Sequence, residues 1–484
     1  LLFSNNDFQG ASKKYEEVLG IYYDKPDMVS AVGELARCYI EIEATEKNIP
    51  YFSRAVAGHV ADRYCKSTNL YNEAGDTLLL ISKTYETRGD RESAEQVLDL
   101  FFEKYSAHKR AAPEILYRAN IMMRATNYVG ALKYYQLVAE KYTNSPSAVD
   151  AMGLVAECHA RLGDHTNAVV WYGKYVNNLQ WSIEQAAAIR RLGDEYQQIP
   201  AIESAIREYT RLATALTNRG DKIEVSPENT LKKKELLEWA LYQKASCYQR
   251  LRIPPEKILF NQTNAVNSYI EFLDRFSTSE ERAPKALGAL GVLLQILGKP
   301  REAEEMFQRM QKEWPTNELS RNILAVRVEA LLSLGRTNDA IKVATGMLDK
   351  QEAYKPEQFY RIAGLMLDAS MYNEAARAFT ATRPTTSSNM WQLASLGLGK
   401  ALFGLGRFEE AIKPLEEILA RNKRSAYTLD ANLMLSRCYA EVGKKEADPD
   451  KKREWFNKSI KTINIVRRLI GKNDRKAFFD TELE

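Results

Sequence analysis

The stretch from Leu78 to Ser106 reads LLLISKTYETRGDRESAEQVLDLFFEKYS. Apolar residues at helical spacing run up to a break at Gly89-Asp90, and Ala94 follows it. A second apolar series continues through Leu98 and Phe101, and Tyr105 closes the unit. Two amphipathic segments of period 3.6 around a glycine turn describe a helical hairpin, because glycine reaches the positive φ of a helix C-cap without steric penalty. The same pattern recurs at AECHARLGDHTNAVVWYGKYV from Ala156 and at LGVLLQILGKPREAEEMFQRMQKEWP from Leu290. It returns at VEALLSLGRTNDAIKVATGML from Val328 and at LGKALFGLGRFEEAIKPLEEILA from Leu398.

The alanine after each break sets the register. Ala94, Ala131, Ala168 and Ala205 lie 37 residues apart, followed by Ala265, Ala303, Ala340, Ala375 and Ala411. Weaker units centre on Ala11, near Ala55 and near Ser459, giving about twelve units in all. A small residue here lets two helices cross closely, and a bulky one would overpack the crossing by about 1–3 kcal/mol. One hairpin cannot bury its own apolar stripe, so neighbouring hairpins must stack.

The chain resembles the tetratricopeptide repeat. In that family the first helix carries a small residue and an aromatic three positions on, here Ser82 with Tyr85, Ala156 with His159, Ala245 with Tyr248 and Ser436 with Tyr439. The second helix pairs alanine with a large residue four on, here Ala131 with Tyr135, Ala168 with Tyr172, Ala303 with Phe307 and Ala375 with Phe379. Closing aromatic-proline ends appear in KYTNSP from Lys141 and EWP from Glu313. The resemblance implies an all-α, right-handed superhelical solenoid that binds other protein chains or peptide segments. The 37-residue spacing looks like the longer repeats of bacterial cell-envelope proteins, such as outer-membrane assembly and Tol-Pal coordinator lipoproteins. That likeness points to the periplasm or cell envelope rather than the cytoplasm.

Three stretches break the rhythm: EIEATEKNIP near Ile42, the step from Ala205 to Ala265, and GKKEADPDKKR from Gly443. The polar DKIEVSPENTLKKKE reads as a loop or seam. It divides the chain into an array over 1–216, a seam over 217–235, a second array over 236–470 and a tail over 471–484. IPPEKILFNQ interrupts the following repeat, and GKKEADPDKKR lengthens the last hairpin turn. NNDFQGASKKYEEVLGIYY reads as a turn and a second helix, as expected of a piece of a longer protein or of an end covered by another chain.

Composition is that of a folded chain: 45% hydrophobic, 27% charged, with a net charge of +4 over 484 residues. So small a charge gives no case for nucleic acid. No apolar run approaches the roughly 20 residues that span a bilayer. Cys38, Cys158, Cys247 and Cys438 all precede the first-helix aromatic in separate repeats, whereas Cys65 falls outside this register. Stacked helices sit about 8–10 Å apart and a disulfide needs Cα atoms within about 7 Å, so thiols in non-adjacent repeats cannot pair. The slot reads as that of a small buried hydrophobe.

Cys158, His159, Asp164 and His165 cluster in sequence, but adjacent residues face different sides of a helix and no second cysteine pair follows. The other histidines, His59 and His108, pair with no visible nucleophile. GLGKALFGLG from Gly397 lacks the spacing and the Ser/Thr of a phosphate loop. HExxH, GxSxG and Cys-x-x-Cys are absent, and no cofactor or metal is expected.

In the family, first-helix residues line an inner wall that receives peptides. The candidates there are Tyr117, Asn120 and Arg124, then Arg161, Arg190 and Arg191, then Tyr242 and Arg250, then Tyr360 and Arg361. Aromatic rings and arginines are the usual binding hot spots, and arginine grips carboxylates with two donors. Leu116 stands where the carboxylate clamp of the family's chaperone-binding members would put lysine one turn before Asn120, which argues against a chaperone-tail receptor. The basic segment 451–476 reads as the solvated face of the last hairpin, and offers a peripheral contact to an acidic partner or anionic lipid. The favoured reading is a non-catalytic scaffold or assembly subunit. The alternatives are a receptor or adaptor domain of a larger enzyme or envelope machine, and a solenoid hydrolase.

Overall fold

The structure is a computed structural model that describes residues 2–22, 28–45, 71–87, 89–219, 223, 226–252, 254–384, 387–421 and 426–470. Cys65, His59, the weak unit near Ala55 and the expected tail over 471–484 lie outside the described residues. Those residues form helices and turns, with no strand among them. Two compact units divide the chain: Leu1–Glu208 with Asn218–Asn229, and Tyr209–Thr217 with Thr230–Glu484.

In the first unit, hairpins pair Tyr71–Thr87 with Arg91–Lys104, Ala111–Arg124 with Tyr128–Lys141, and Pro146–Arg161 with His165–Asn178. Ile183–Gln198 opens the next hairpin, and Phe8–Tyr22 packs on Met28–Thr45. In the second unit the pairs are Ala283–Ile296 with Pro300–Glu313, Leu324–Ser333 with Thr337–Leu348, and Pro356–Asp368 with Tyr372–Thr382. Ser388–Gly404 with Phe408–Arg421, and Thr428–Lys445 with Pro449–Ile470, follow.

The turns explain why the sequence breaks where it does. Gly89 and Gly163 take φ of 83° and 77°, the left-handed conformation that ends a helix. One residue later, Asp90 and Asp164 cap the second helix, accepting from the backbone N–H of Ser93 at 3.1 Å and of Asn167 at 3.2 Å. Asn127 does the same for Gly130 at 3.0 Å. All nine register alanines, from Ala94 to Ala411, are buried at 1% exposure or less. Ser82 shows why the crossing is close: its hydroxyl donates to the Ala94 carbonyl at 3.0 Å. Bulk is carried by the second helix instead, with Tyr135, Phe307 and Tyr269 fully buried.

Two expected loops are shorter than their sequences suggest. The polar stretch over 217–235 is helical to Arg219 and again from Pro227, where Pro227–Arg250 begins. Proline fits a first helical position, and Ser226 accepts from the Asn229 N–H at 3.1 Å, so the lysine run lies on a helix. The extra residues around Gly443 likewise lengthen helices rather than the turn. Thr428–Lys445 and Pro449–Ile470 are separated only by 446–448, with Asp448 accepting from the Asp450 N–H at 2.9 Å.

Buried charge in the second unit is paired. Glu304, 3% exposed, receives the Arg327 guanidinium from the neighbouring hairpin through Nη2 at 2.7 Å and Nε at 2.9 Å. A fork-to-fork contact of this kind holds a carboxylate that could not otherwise be buried.

Candidate functional site

The 37-residue register places equivalent first-helix positions of the first unit in rows. Leu80, Tyr117, Leu154 and Arg191 form one row, and Lys83, Asn120, Glu157 and Asp194 form the row a turn later. Between Tyr71–Thr87 and Ala111–Arg124 these rows border a groove of about 480 Å³. Leu79, Leu98 and Pro113 contribute apolar surface, and Lys83, Glu86, Arg110 and Glu114 contribute charge. Tyr117 and Ile121 stand in it at 58% and 45% exposure. Solvated aromatic and aliphatic side chains beside fixed charges are the ingredients of a peptide-binding surface.

Arg118 is the least ordinary residue of this groove. It is 9% exposed, its Nη2 meets Glu95 Oε1 at 2.9 Å, and its guanidinium lies 5.8 Å from the Tyr134 ring centre. Its Nη1 is buried without a hydrogen-bond partner. The sequence reading missed Arg118 because the inner-wall projection followed the exposed positions on either side of it. Lys83 and Ile121 were also missed, although Lys83 lies one repeat before Asn120 in the same row.

The remaining candidates divide by what they touch. Asn120 is occupied, accepting from the Tyr135 hydroxyl at 2.6 Å. Burial pushes the Tyr135 phenol up to about 12, so it remains a donor. Arg161 and Arg191 converge on one carboxylate, that of Glu157, at 3.5 Å and 3.0 Å. Glu157 thus joins two of the ten candidates through a shared partner. Arg191 also lines a smaller pocket of about 240 Å³ with Asp150, Glu157, Tyr175 and Glu184. Arg190 turns to Asp194 on its own helix at 3.3 Å, and Arg124 is exposed.

In the second unit Tyr242 packs edge-on against Tyr269 and Phe272, with ring centres 6.2 Å and 5.7 Å away. Tyr360 packs in the same way on Phe379 at 6.2 Å. Both rings are therefore partly structural. Arg361 pairs with Glu329 at 2.7 Å, and Arg250 is exposed at the end of its helix.

The cysteine slot is buried throughout: Cys38, Cys158, Cys247 and Cys438 are each fully covered, and none of the four is in a disulfide. Burial pushes the Cys38 and Cys158 thiols up to about 11 and Cys438 to about 12, the reverse of an activated nucleophile. His159 Nδ1 lies 3.0 Å from Asp164, while His165 Nδ1 turns away to Glu195 at 2.7 Å. Among the described residues no group of three or more His, Cys, Asp or Glu could hold a metal ion.

The tetratricopeptide-repeat family profile matches residues 116–178 and 396–449. These include hairpin segments of both units, and the chain carries tetratricopeptide repeats. An array of such repeats is a protein-interaction scaffold. No curated protein matches the sequence.

Similar solved structures include a tetratricopeptide repeat protein from Parabacteroides merdae, 15% identical over 58% of this chain and 98% of that one, with a TM-score of 0.35. The C-terminal part of a repeat protein from Cytophaga hutchinsonii is 14% identical over 66% of this chain and 96% of that one, at 0.33. A structure of Naa15/Naa10 bound to HypK-THB is 14% identical over 100% of this chain and 63% of that one, at 0.36. Scores this low carry over neither whole-chain arrangement nor partner.

Proposed function

We propose that this protein is a non-catalytic scaffold or assembly subunit that holds segments of other proteins against its first-helix faces. The observation that carries this reading is the groove between Tyr71–Thr87 and Ala111–Arg124, where Tyr117 and Ile121 are exposed between charged rims. Lys83 would meet a carboxylate of the bound segment and Glu86 a basic group, while Arg110 and Glu114 pair with each other at the rim. Arg161 and Arg191 lie along the same face but share the Glu157 carboxylate, so the open contacts are those of the groove. The finer placement, as an adaptor in a cell-envelope machine, rests on the 37-residue spacing alone.

The test is affinity purification of the full-length protein from its own cells, with a photo-crosslinking residue placed at position 117. The expected result is one partner, recovered in stoichiometric amounts and crosslinked at that position. Tyr117→Ala with Ile121→Ala should weaken its binding about thirtyfold, as loss of a hot spot worth about 2 kcal/mol implies. Recovery of the protein alone, or a partner that the double variant retains in full, would overturn the reading.

A further inference from the structure

Several cations of this chain are neutralised by a carboxylate four residues away. Arg110 pairs with Glu114 at 2.7 Å, Arg309 with Glu313 at 3.0 Å, Lys285 with Glu281 at 3.1 Å and Arg190 with Asp194 at 3.3 Å. Among the described residues, the helix Pro449–Ile470 has no such pair. It carries Lys451, Lys452, Arg453, Lys458, Lys461, Arg467 and Arg468 against only Asp450 and Glu454. All seven cations are exposed, and among the described residues none is in an ion pair. Glu454 stands one turn before Lys458, yet the lysine ammonium lies over the Trp455 ring, 4.3 Å from its centre. Lys451, Lys452 and Arg453 occupy the first turns, where the helix dipole disfavours positive charge.

The opposite side of this helix is fixed to the fold. Ser459 donates to the Ser436 carbonyl at 2.8 Å, and Val466 is buried against Leu433. At 100° per residue, Arg453, Ile460, Lys461, Arg467 and Arg468 then share an outward arc of roughly 120°. Ile460 lies on this arc at 57% exposure, while Ile465 and Leu469, at 37% and 47%, flank it on the side of Lys451 and Lys458. A rigid face of about 23 Å is thus cationic along its length, with Ile460 standing among the charges.

We propose that this face docks the protein on the surface of a bilayer containing anionic phospholipid. A planar headgroup layer meets cations distributed along one straight helix simultaneously, and Ile460 on the outward arc reaches the boundary with the acyl chains. The helix lies on the surface: no described helix is long and apolar enough to cross a membrane. The attraction is electrostatic and falls within a Debye length of about 8–10 Å at ordinary salt.

Flotation of the full chain with vesicles tests this. Phosphatidylcholine vesicles containing one-third phosphatidylserine should carry the protein upward, vesicles of phosphatidylcholine alone should not, and molar salt should release it. Each cation near the surface is worth about fivefold in partitioning, so Lys461→Gln with Arg468→Gln should lower it about 25-fold. Both positions are exposed, and an unchanged melting curve would establish that the variant is folded. Equal binding to both vesicle types, binding to neither, or full binding by the double variant would overturn the proposal. Salt-sensitive binding to polyglutamate without any binding to vesicles would also overturn it, in favour of an acidic protein partner.

Discussion

Thr126 has a φ of 59° in the slot that Gly89 and Gly163 fill 37 residues to either side. A β-branched residue is poorly suited to the left-handed region, which costs an L-residue about 1–2 kcal/mol. Glycine there gives up about 0.5–1 kcal/mol in unfolded-chain entropy. Thr126→Gly should therefore stabilise the protein by about 0.5–1 kcal/mol, read as a higher urea midpoint at unchanged slope. A lower midpoint would mean that the threonine side chain contributes more than its backbone conformation costs. Ser370, also at 59°, fills the corresponding turn of the second unit. Glycine at the turn was legible from the sequence, because the pattern names it; its replacements were not, because only backbone angles mark them. The cysteine slot before the first-helix aromatic was legible in the same way, and Cys38 and Cys438 have the burial that a packing slot requires.

The hairpin as an element is held at its turn by a side chain. Asp164 accepts from both the backbone and the side chain of Asn167, at 3.2 Å and 2.7 Å, and faces His159. The Asn167 hydrogen bonds, and then His159, hold its carboxyl below the usual aspartate range. A group lowered in the folded state stabilises above its unfolded value, near 4 for Asp, and loses that contribution as pH falls through the folded value. Amide exchange in the first turn of His165–Asn178 should stay slow at pH 5 and rise only below the ordinary aspartate range. Asp164→Asn should remove that acid dependence while keeping a cap. An unchanged acid profile in the variant would assign the effect to another carboxylate. The sequence gives the Gly-Asp pair but not its partners, since the Asn167 contact depends on how tightly the turn closes.

At the scale of the molecule, each hairpin buries its stripe against neighbours, so damage should spread to adjacent repeats and fade beyond them. Ala131 has no exposed surface, and Ala131→Leu should cost about 1–3 kcal/mol by overpacking the crossing. Hydrogen exchange followed by mass spectrometry should show faster exchange over 111–161 and no change over 283–313. Uniform acceleration along the chain would mean a single cooperative unit instead.

What the sequence by itself determined is the repeat: period, helix pairing, turn glycines and buried alanines all follow from local spacing and side-chain size. Loop lengths were harder. The lysine run after Ser226 looked like a seam, but helix formation needs only a start signal and tolerates a polar face, and Pro227 supplied the start. The candidate binding face was legible as a set of rows, because register fixes which positions share a side. Tertiary structure alone decided which members remain available. Asn120 is taken by Tyr135 and Arg191 by Glu157, whereas Tyr117 stays open beside the buried Arg118. A one-dimensional period assigns a side chain its direction. Only packing between helices assigns it a partner, because the partner comes from another helix or another repeat.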